Sequence, residues 1–260
     1  MSKRNLPDII DFAKGSATLA AGAVVGTTIA GPIGGIIGGI AASGLEVVIR
    51  KFVSKHIHPN LSINELHRLD KVLSHFNTKM IQNLSVGGGK ILRQDCFFSN
   101  KINERSAAEE IFEGVMFAAE REYEEKKVKF EGNFFANIVF EPNIDRASAN
   151  FLLRLAQRMS YRQLCLMALF VQRDKFTLRD KDYRSEERFN DNILFALLQD
   201  IYELYSLNML AIDGHAMVSA FDIIPSKMVI FGPAKALYSL MDLEEIEQSD
   251  MNAIAEQLTK

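Results

Sequence analysis

Hydrophobic and polar positions follow a helical period along most of this chain, and one stretch near its start breaks that pattern. Gly15 to Leu45 reads GSATLAAGAVVGTTIAGPIGGIIGGIAASGL, 31 residues with nine of the sixteen glycines and no charged side chain. Small residues recur every fourth position in two rows. One row is Thr18, Gly22, Gly26, Ala30, Gly34, Gly38 and Ala42, and the other is Gly31, Gly35, Gly39 and Ser43. Residues four apart share a helix face, so the stretch predicts a helix with a stripe almost free of side chains. Leu19, Val24, Val25, Ile29, Ile33, Ile36, Ile37 and Ile40 back that stripe. Glycine costs about 1 kcal/mol against alanine inside a soluble helix, and close helix–helix approach in an apolar medium is the usual compensation.

A membrane-crossing helix needs about 20 apolar residues. This run is longer and has Pro32 near its middle. It is therefore one kinked span, two helices folded back at Ala30-Gly31-Pro32, or a Gly/Ala-rich hairpin packed inside a soluble protein. Lys3, Arg4 and Lys14 precede it, and Arg50, Lys51 and Lys55 follow. Equal basic flanks keep both ends on one side of a bilayer and favour the hairpin.

After the glycine stretch the helical period returns. Leu45 to His58 places Val47, Val48, Phe52 and Val53 on one side, with Arg50, Lys51 and Lys55 elsewhere. Such a basic amphipathic helix suits a lipid headgroup layer or the surface of a helical body. Ser62-Ile63-Asn64-Glu65 is a capping box, opening a helix with Leu66, Leu69, Leu73, Phe76, Met80 and Leu84 on its core face. Ser106-Ala107-Ala108-Glu109 is a second box. Ala108, Ile111, Phe112, Val115, Met116, Ala119 and Tyr123 follow on one face, and a glutamate-rich solvated face lies opposite. Glu122–Lys126 and Glu125–Lys129 have the four-residue spacing that supports such a helix. Phe130 to Phe140 predicts a short buried helix. Asp145 caps a helix to Met159 whose apolar face is Ala149, Leu152, Leu153, Leu155 and Ala156.

Ser160-Tyr161-Arg162-Gln163 is a third box, and Leu164 to Val171, apolar nearly all round, belongs at the centre of a core. Gln172 to Asn190 mixes both charges and reads as a solvated loop. Asp191 to Leu207 is an amphipathic helix with Ile193, Leu194, Leu197, Leu198, Ile201, Leu204 and Tyr205 inward. Met209–Ile212, Met217–Ile224 and Lys227–Phe231 are short runs of strand character. Pro233 starts a further helix, and Leu243 to Lys260 is an acidic, loosely packed helical tail. The expected fold is mainly α-helical, with the glycine-rich hairpin and basic helix at 1–58, a helical domain at 59–159, and a part with a small β-ribbon at 160–260.

Composition adds exclusions. A formal net charge of −3 argues against a protein held to nucleic acid by bulk charge. Cys96 and Cys165 stand far apart, giving neither a disulfide framework nor a zinc spacing, and a reducing cytoplasm is the expected compartment. Asp8 and Asp11 interrupt a signal-peptide reading, and the apolar run is too long for a signal core. Gly87-Gly88-Gly89-Lys90 is followed by Ile91, with Leu84 where a phosphate loop needs glycine, so it reads as a linker. His56, His58, His67 and His75 lack metal-ligand spacing. No catalytic constellation emerges, no cofactor is implied, and the chain is not expected to be an enzyme.

GAVVGTTIAGPIGGIIGGIAA resembles the glycine-zipper segments of bacterial membrane and pore-forming proteins. The resemblance covers about an eighth of the chain. It implies close homo-oligomeric helix packing in or on a membrane, through Thr18, Gly22, Gly26, Ala30, Gly31, Gly34, Gly35, Gly38, Gly39 and Ala42, with headgroup contact from Arg50, Lys51 and Lys55. Ser160–Val171, Asn190–Leu207, Asp213-Gly214 and KMVIFGPAKALYSLM together resemble a winged-helix domain. Winged helices that read DNA use a basic recognition helix. The corresponding Asn190–Leu207 has no Lys or Arg and holds Asp191, Asp200 and Glu203, which points away from nucleic acid. The expected activity is permeabilising or remodelling a membrane, at the inner face of a bacterial inner membrane. The partners are the lipid bilayer, further copies of the chain and a sensor protein, as in a toxin-like or anti-phage effector. The alternative is a cytosolic winged-helix adaptor or transcriptional regulator.

Overall fold

A computed structural model describes residues 44–56, 61–85, 89–100, 104–184, 191–214 and 216–259. The fold is mainly α-helical with a small two-stranded antiparallel sheet. The helices are α1 (Leu45–His56), α2 (Ile63–Ser85), α3 (Ala107–Arg121), α4 (Val128–Ile138), α5 (Arg146–Arg158), α6 (Tyr161–Val171), α7 (Asn192–Ser206), α8 (Pro233–Leu240) and α9 (Gln248–Thr259). Strands β1 (Leu210–Ile212) and β2 (Met228–Ile230) lie between α7 and α8. The chain divides into two compact units between Arg154 and Leu155, within α5.

The first unit is built around α4, which is buried from Val128 through Ile138 except for the half-buried Lys129. Its Phe135 joins Phe76 of α2 and Phe112 of α3 in one ring cluster, with centroid separations of 4.9 to 6.1 Å. Such pairs add roughly 0.5–1.5 kcal/mol each beyond the area they bury. Phe52 of α1 extends the cluster, edge-on to Phe112 at 5.6 Å. Gly132 lets α4 come close to α2. A Cβ there would stand 2.8 Å from the Val72 carbonyl oxygen and 3.1 Å from the Phe76 nitrogen.

Local signals account for most helix starts. Ser62 accepts from the Glu65 backbone N–H, and the Ser62 N–H donates to the Glu65 carboxylate at 2.6 Å. Ser160 and Gln163 make the same reciprocal pair. Asp145 accepts from the Ser148 N–H, and Asp191 from the N–H groups of Ile193 and Leu194. Ser106 caps α3 by accepting from the Glu109 N–H, but the Ser106 N–H donates to the Asn100 side chain and not to Glu109. The Glu109 carboxylate is drawn away by Lys51.

Several expectations need correction. The buried face of α2 is Leu69, Val72, Phe76, Asn77, Met80 and Asn83, so it is turned from the predicted stripe and carries two asparagines inward. Asn83 Nδ2 donates to the Ala136 carbonyl and to Asn137 Oδ1 on α4, which explains its place. Helix α3 stops at Arg121 and leaves Tyr123 93% exposed. The Glu122 carboxylate accepts from the N–H groups of Tyr123 and Glu124, which folds the chain into a turn. The predicted spacings Glu122–Lys126 and Glu125–Lys129 therefore do not lie within one helix. Glu122 pairs with Lys127, and Glu125 with Lys71 of α2.

In the second unit, α6 forms the centre. Every residue from Gln163 to Phe170 is buried, and α7, α8, α9 and the ribbon pack on it. The ribbon pairs Leu210 with Ile230, Ala211 with Val229 and Ile212 with Met228. Met217–Ile224 is not a strand. Ser219 and Asp222 form a capping box around a single 3-10 turn, Ala220–Asp222, which spends backbone groups a strand would need. The C-terminal segment is not loosely packed either. Met251, Ile254, Ala255 and Leu258 of α9 are buried, and the Arg179 N–H donates to the Leu258 carbonyl. Ile193 of α7, predicted inward, is 61% exposed.

Gly132→Ala should lower stability by roughly 1–3 kcal/mol, the usual cost of overpacking, despite the better helix propensity of alanine. Gly114→Ala, where the added Cβ meets only the far end of the Leu153 side chain and no backbone, should stay within about 1 kcal/mol of the parent. Urea unfolding of the two variants side by side checks the contrast.

Candidate functional site

The glycine-stretch positions Thr18, Gly22, Gly26, Ala30, Gly31, Gly34, Gly35, Gly38, Gly39 and Ala42 lie outside the described residues. Arg50 lies on α1 with its side chain also outside the description. Lys51 and Lys55 are described. Leu45, Val48, Ile49 and Phe52 put the apolar face of α1 in the core of the first unit. The charged face then meets the glutamate face of α3.

Lys51 pairs with Glu109. One turn on, Lys55 Nζ lies 3.9 Å from Glu113 Oε1, and His56 Nε2 lies 2.7 Å from the same oxygen. Arg105, just before the α3 cap, pairs with the other oxygen of Glu113. The His56 ring stacks on Phe52 at 4.9 Å and meets Phe117 edge-on at 5.0 Å. All of these groups except Phe117 line a groove of about 290 Å³, with Val48 and Phe52 at its apolar wall. The glutamate face is thus not simply solvated. Next to Glu109 on α3, Glu110 takes Arg146 and Asn150 of α5.

One signal for this site stands in the sequence. Lys51 and Lys55 are four apart, as are Glu109 and Glu113, so two helices carry matching rows of opposite charge. The parts played by His56 and Arg105 have no such signal, since their approach to Glu113 depends on how α1 packs on α3.

A second cluster is buried. Lys127 precedes α4 with its ammonium 2.6 Å from Glu122 Oε2 and 3.8 Å from Glu131 Oε1. Neither Glu131 oxygen has a hydrogen-bond partner, and the side chain is 3% exposed. Burial pushes the Glu131 carboxyl up to about 8; Lys127 opposes that rise and Glu122 adds to it. Near neutral pH this is largely a neutral acid beside an ion pair. In the second unit the Asp222 carboxylate has the opposite fate. The Arg184 guanidinium, together with the N–H groups of Val218 and Ser219, holds it well below the usual carboxylate range.

Among the described residues there is no cluster of three or more His, Cys, Asp or Glu able to hold a metal ion. No described helix is long and apolar enough to cross a membrane.

The raised Glu131 carboxyl carries a pH dependence. The folded state keeps its proton above 4.5, the ordinary value of the group, whereas the unfolded state has released it. Its contribution to stability is therefore complete at low pH and declines between 4.5 and about 8, by about 1.4 kcal/mol per pH unit. Glu131→Gln should remove that decline, so the variant gains on the parent as pH rises. Urea unfolding of both chains at pH 5, 6.5 and 8 measures the difference. Comparison with protein-family models, curated proteins and solved structures returned no match to this chain.

Proposed function

We propose that this chain acts on a bacterial membrane through Gly15–Leu45, which associates with copies of itself and permeabilises or remodels the bilayer from its cytoplasmic face. The observation that carries this reading is the charge-free run with small residues at every fourth position. Small residues let helix backbones approach within van der Waals contact in lipid, where apolar burial between helices supplies no driving force. Many Gly and Ala with few bulky side chains make spontaneous insertion marginal, which suits an insertion that waits for a trigger from a sensor partner. A toxin-like or anti-phage effector has this division of labour, a helical body carrying one apolar working segment. The basic helix α1 follows the run directly and so supports the same reading.

A second reading, an adaptor working through the winged-helix-like part, is favoured by the surface of α7. Its acids are occupied within the unit. Asp200 holds Arg162, Glu203 holds Arg158 and Gln163, and Asp191 caps the helix. Exposed on this unit are the apolar Ile193, Phe195 and Val218, the last at 80%. That surface suits a protein partner better than a phosphate backbone.

Flotation with dye-loaded vesicles separates the readings. The parent chain should float and release dye, and Gly26→Leu and Gly38→Leu should lose most of the release, because the bulky side chain blocks helix approach. If the parent stays unbound, or if parent and variants bind alike and release no dye, the membrane reading fails.

A further inference from the structure

We propose that the groove between α1 and α3 binds a phosphate-type oxyanion, with Lys55 and Arg105 as its donors. Charge and donor count carry the argument. Lys51, Lys55 and Arg105 bring three fixed positive charges to a groove whose carboxylates are two, Glu109 and Glu113. Glu110, beside Glu109 on α3, is engaged by Arg146 and Asn150 and also lies in the field of Arg105. Among the side chains that line the groove, the fixed cations therefore outnumber the carboxylates by one. That excess gathers at Glu113, on which Lys55, His56 and Arg105 all converge.

The donors are not used up by Glu113. At 3.9 Å from the carboxylate, the Lys55 ammonium lies beyond hydrogen-bond range. Its side chain is 68% exposed, and that of Arg105 is 52% exposed. A guanidinium carries five N–H donors in a planar fork suited to phosphate, and an ammonium serves as a point charge beside it. The groove of about 290 Å³ holds several waters at roughly 30 Å³ each, so a tetrahedral oxyanion fits in their place. Phe52 forms part of its wall and stacks with the His56 ring, and an apolar wall strengthens a charged contact next to it.

The oxyanion is either free phosphate or the phosphodiester of a lipid headgroup, and the second source rests on the membrane reading above. Calorimetric titration of the full chain with inorganic phosphate at constant ionic strength tests the site. Saturable binding is expected. Lys55→Ala and Arg105→Ala should each weaken it about fivefold, the effect of one exposed ion pair. Glu113→Gln should tighten it, because the competing carboxylate is gone while the cations stay. A purely structural ion-pair network would show no such gain. No saturable binding, or binding that these three substitutions leave unchanged, overturns the proposal.

Flotation on phosphatidylglycerol-containing vesicles against phosphatidylcholine vesicles then identifies the source. If Lys55→Ala and Arg105→Ala reduce flotation on the anionic vesicles, the site takes a headgroup; if they leave it unchanged while phosphate binding falls, the site takes free phosphate. A chain that floats but does not bind phosphate keeps the membrane reading and loses the site. A chain that binds phosphate but does not float keeps the site and loses the membrane reading.

Discussion

A helix buried on nearly every side sets the terms for the first unit. Helix α4 brings Glu131, Asn133 and Asn137 inside with its phenylalanines, and Lys127 just ahead of it. Each buried polar group must find a partner or lose about 1–3 kcal/mol of hydration. Asn137 is met by Asn83 from α2, and Lys127 by Glu122 from the turn before α4. Glu131 finds no hydrogen bond, and its raised proton affinity is how the structure avoids a bare buried charge. The inward placement of Asn83 on α2 follows from the same demand.

The seam between α1 and α3 works differently. Exposed ion pairs contribute at most about 1 kcal/mol each, so Lys51, Lys55 and Arg105 do not hold α1 in place. That falls to Leu45, Val48, Ile49 and Phe52, all buried. The charges meet across the seam, Lys51 on Glu109 and Lys55, His56 and Arg105 around Glu113. The first unit therefore holds α1 by apolar burial and leaves the Lys55 ammonium of its charged face largely exposed.

In the second unit the acids that would repel a nucleic acid from α7 also serve as structural contacts. Asp200 and Glu203 bind arginines of α6 and α5, and Asp222 collects two backbone N–H groups and Arg184. These acids are taken up in ion pairs within the unit, and the surface left on α7 includes the exposed apolar Ile193 and Phe195.

The helical class, the helix starts and the inward faces of α3, α5 and α6 were legible in the chain, because capping and periodicity act over four or five residues. The small ribbon was legible from its two apolar runs, while the third run was misread, since Ser219 and Asp222 close a turn that periodicity does not register. Half of the candidate site was visible in the matching spacings of Lys51 with Lys55 and Glu109 with Glu113. The convergence of His56 and Arg105 on Glu113, and the isolation of Glu131, were not. They bring together residues from Lys51 to Glu113 and set one carboxyl apart from water, and both effects arise only when helices pack. Local pattern by itself determined which segments are helices and where most of them begin. Tertiary packing decided which charges meet and which acid keeps its proton, because burial and charge proximity belong to the folded whole and not to any short stretch of sequence.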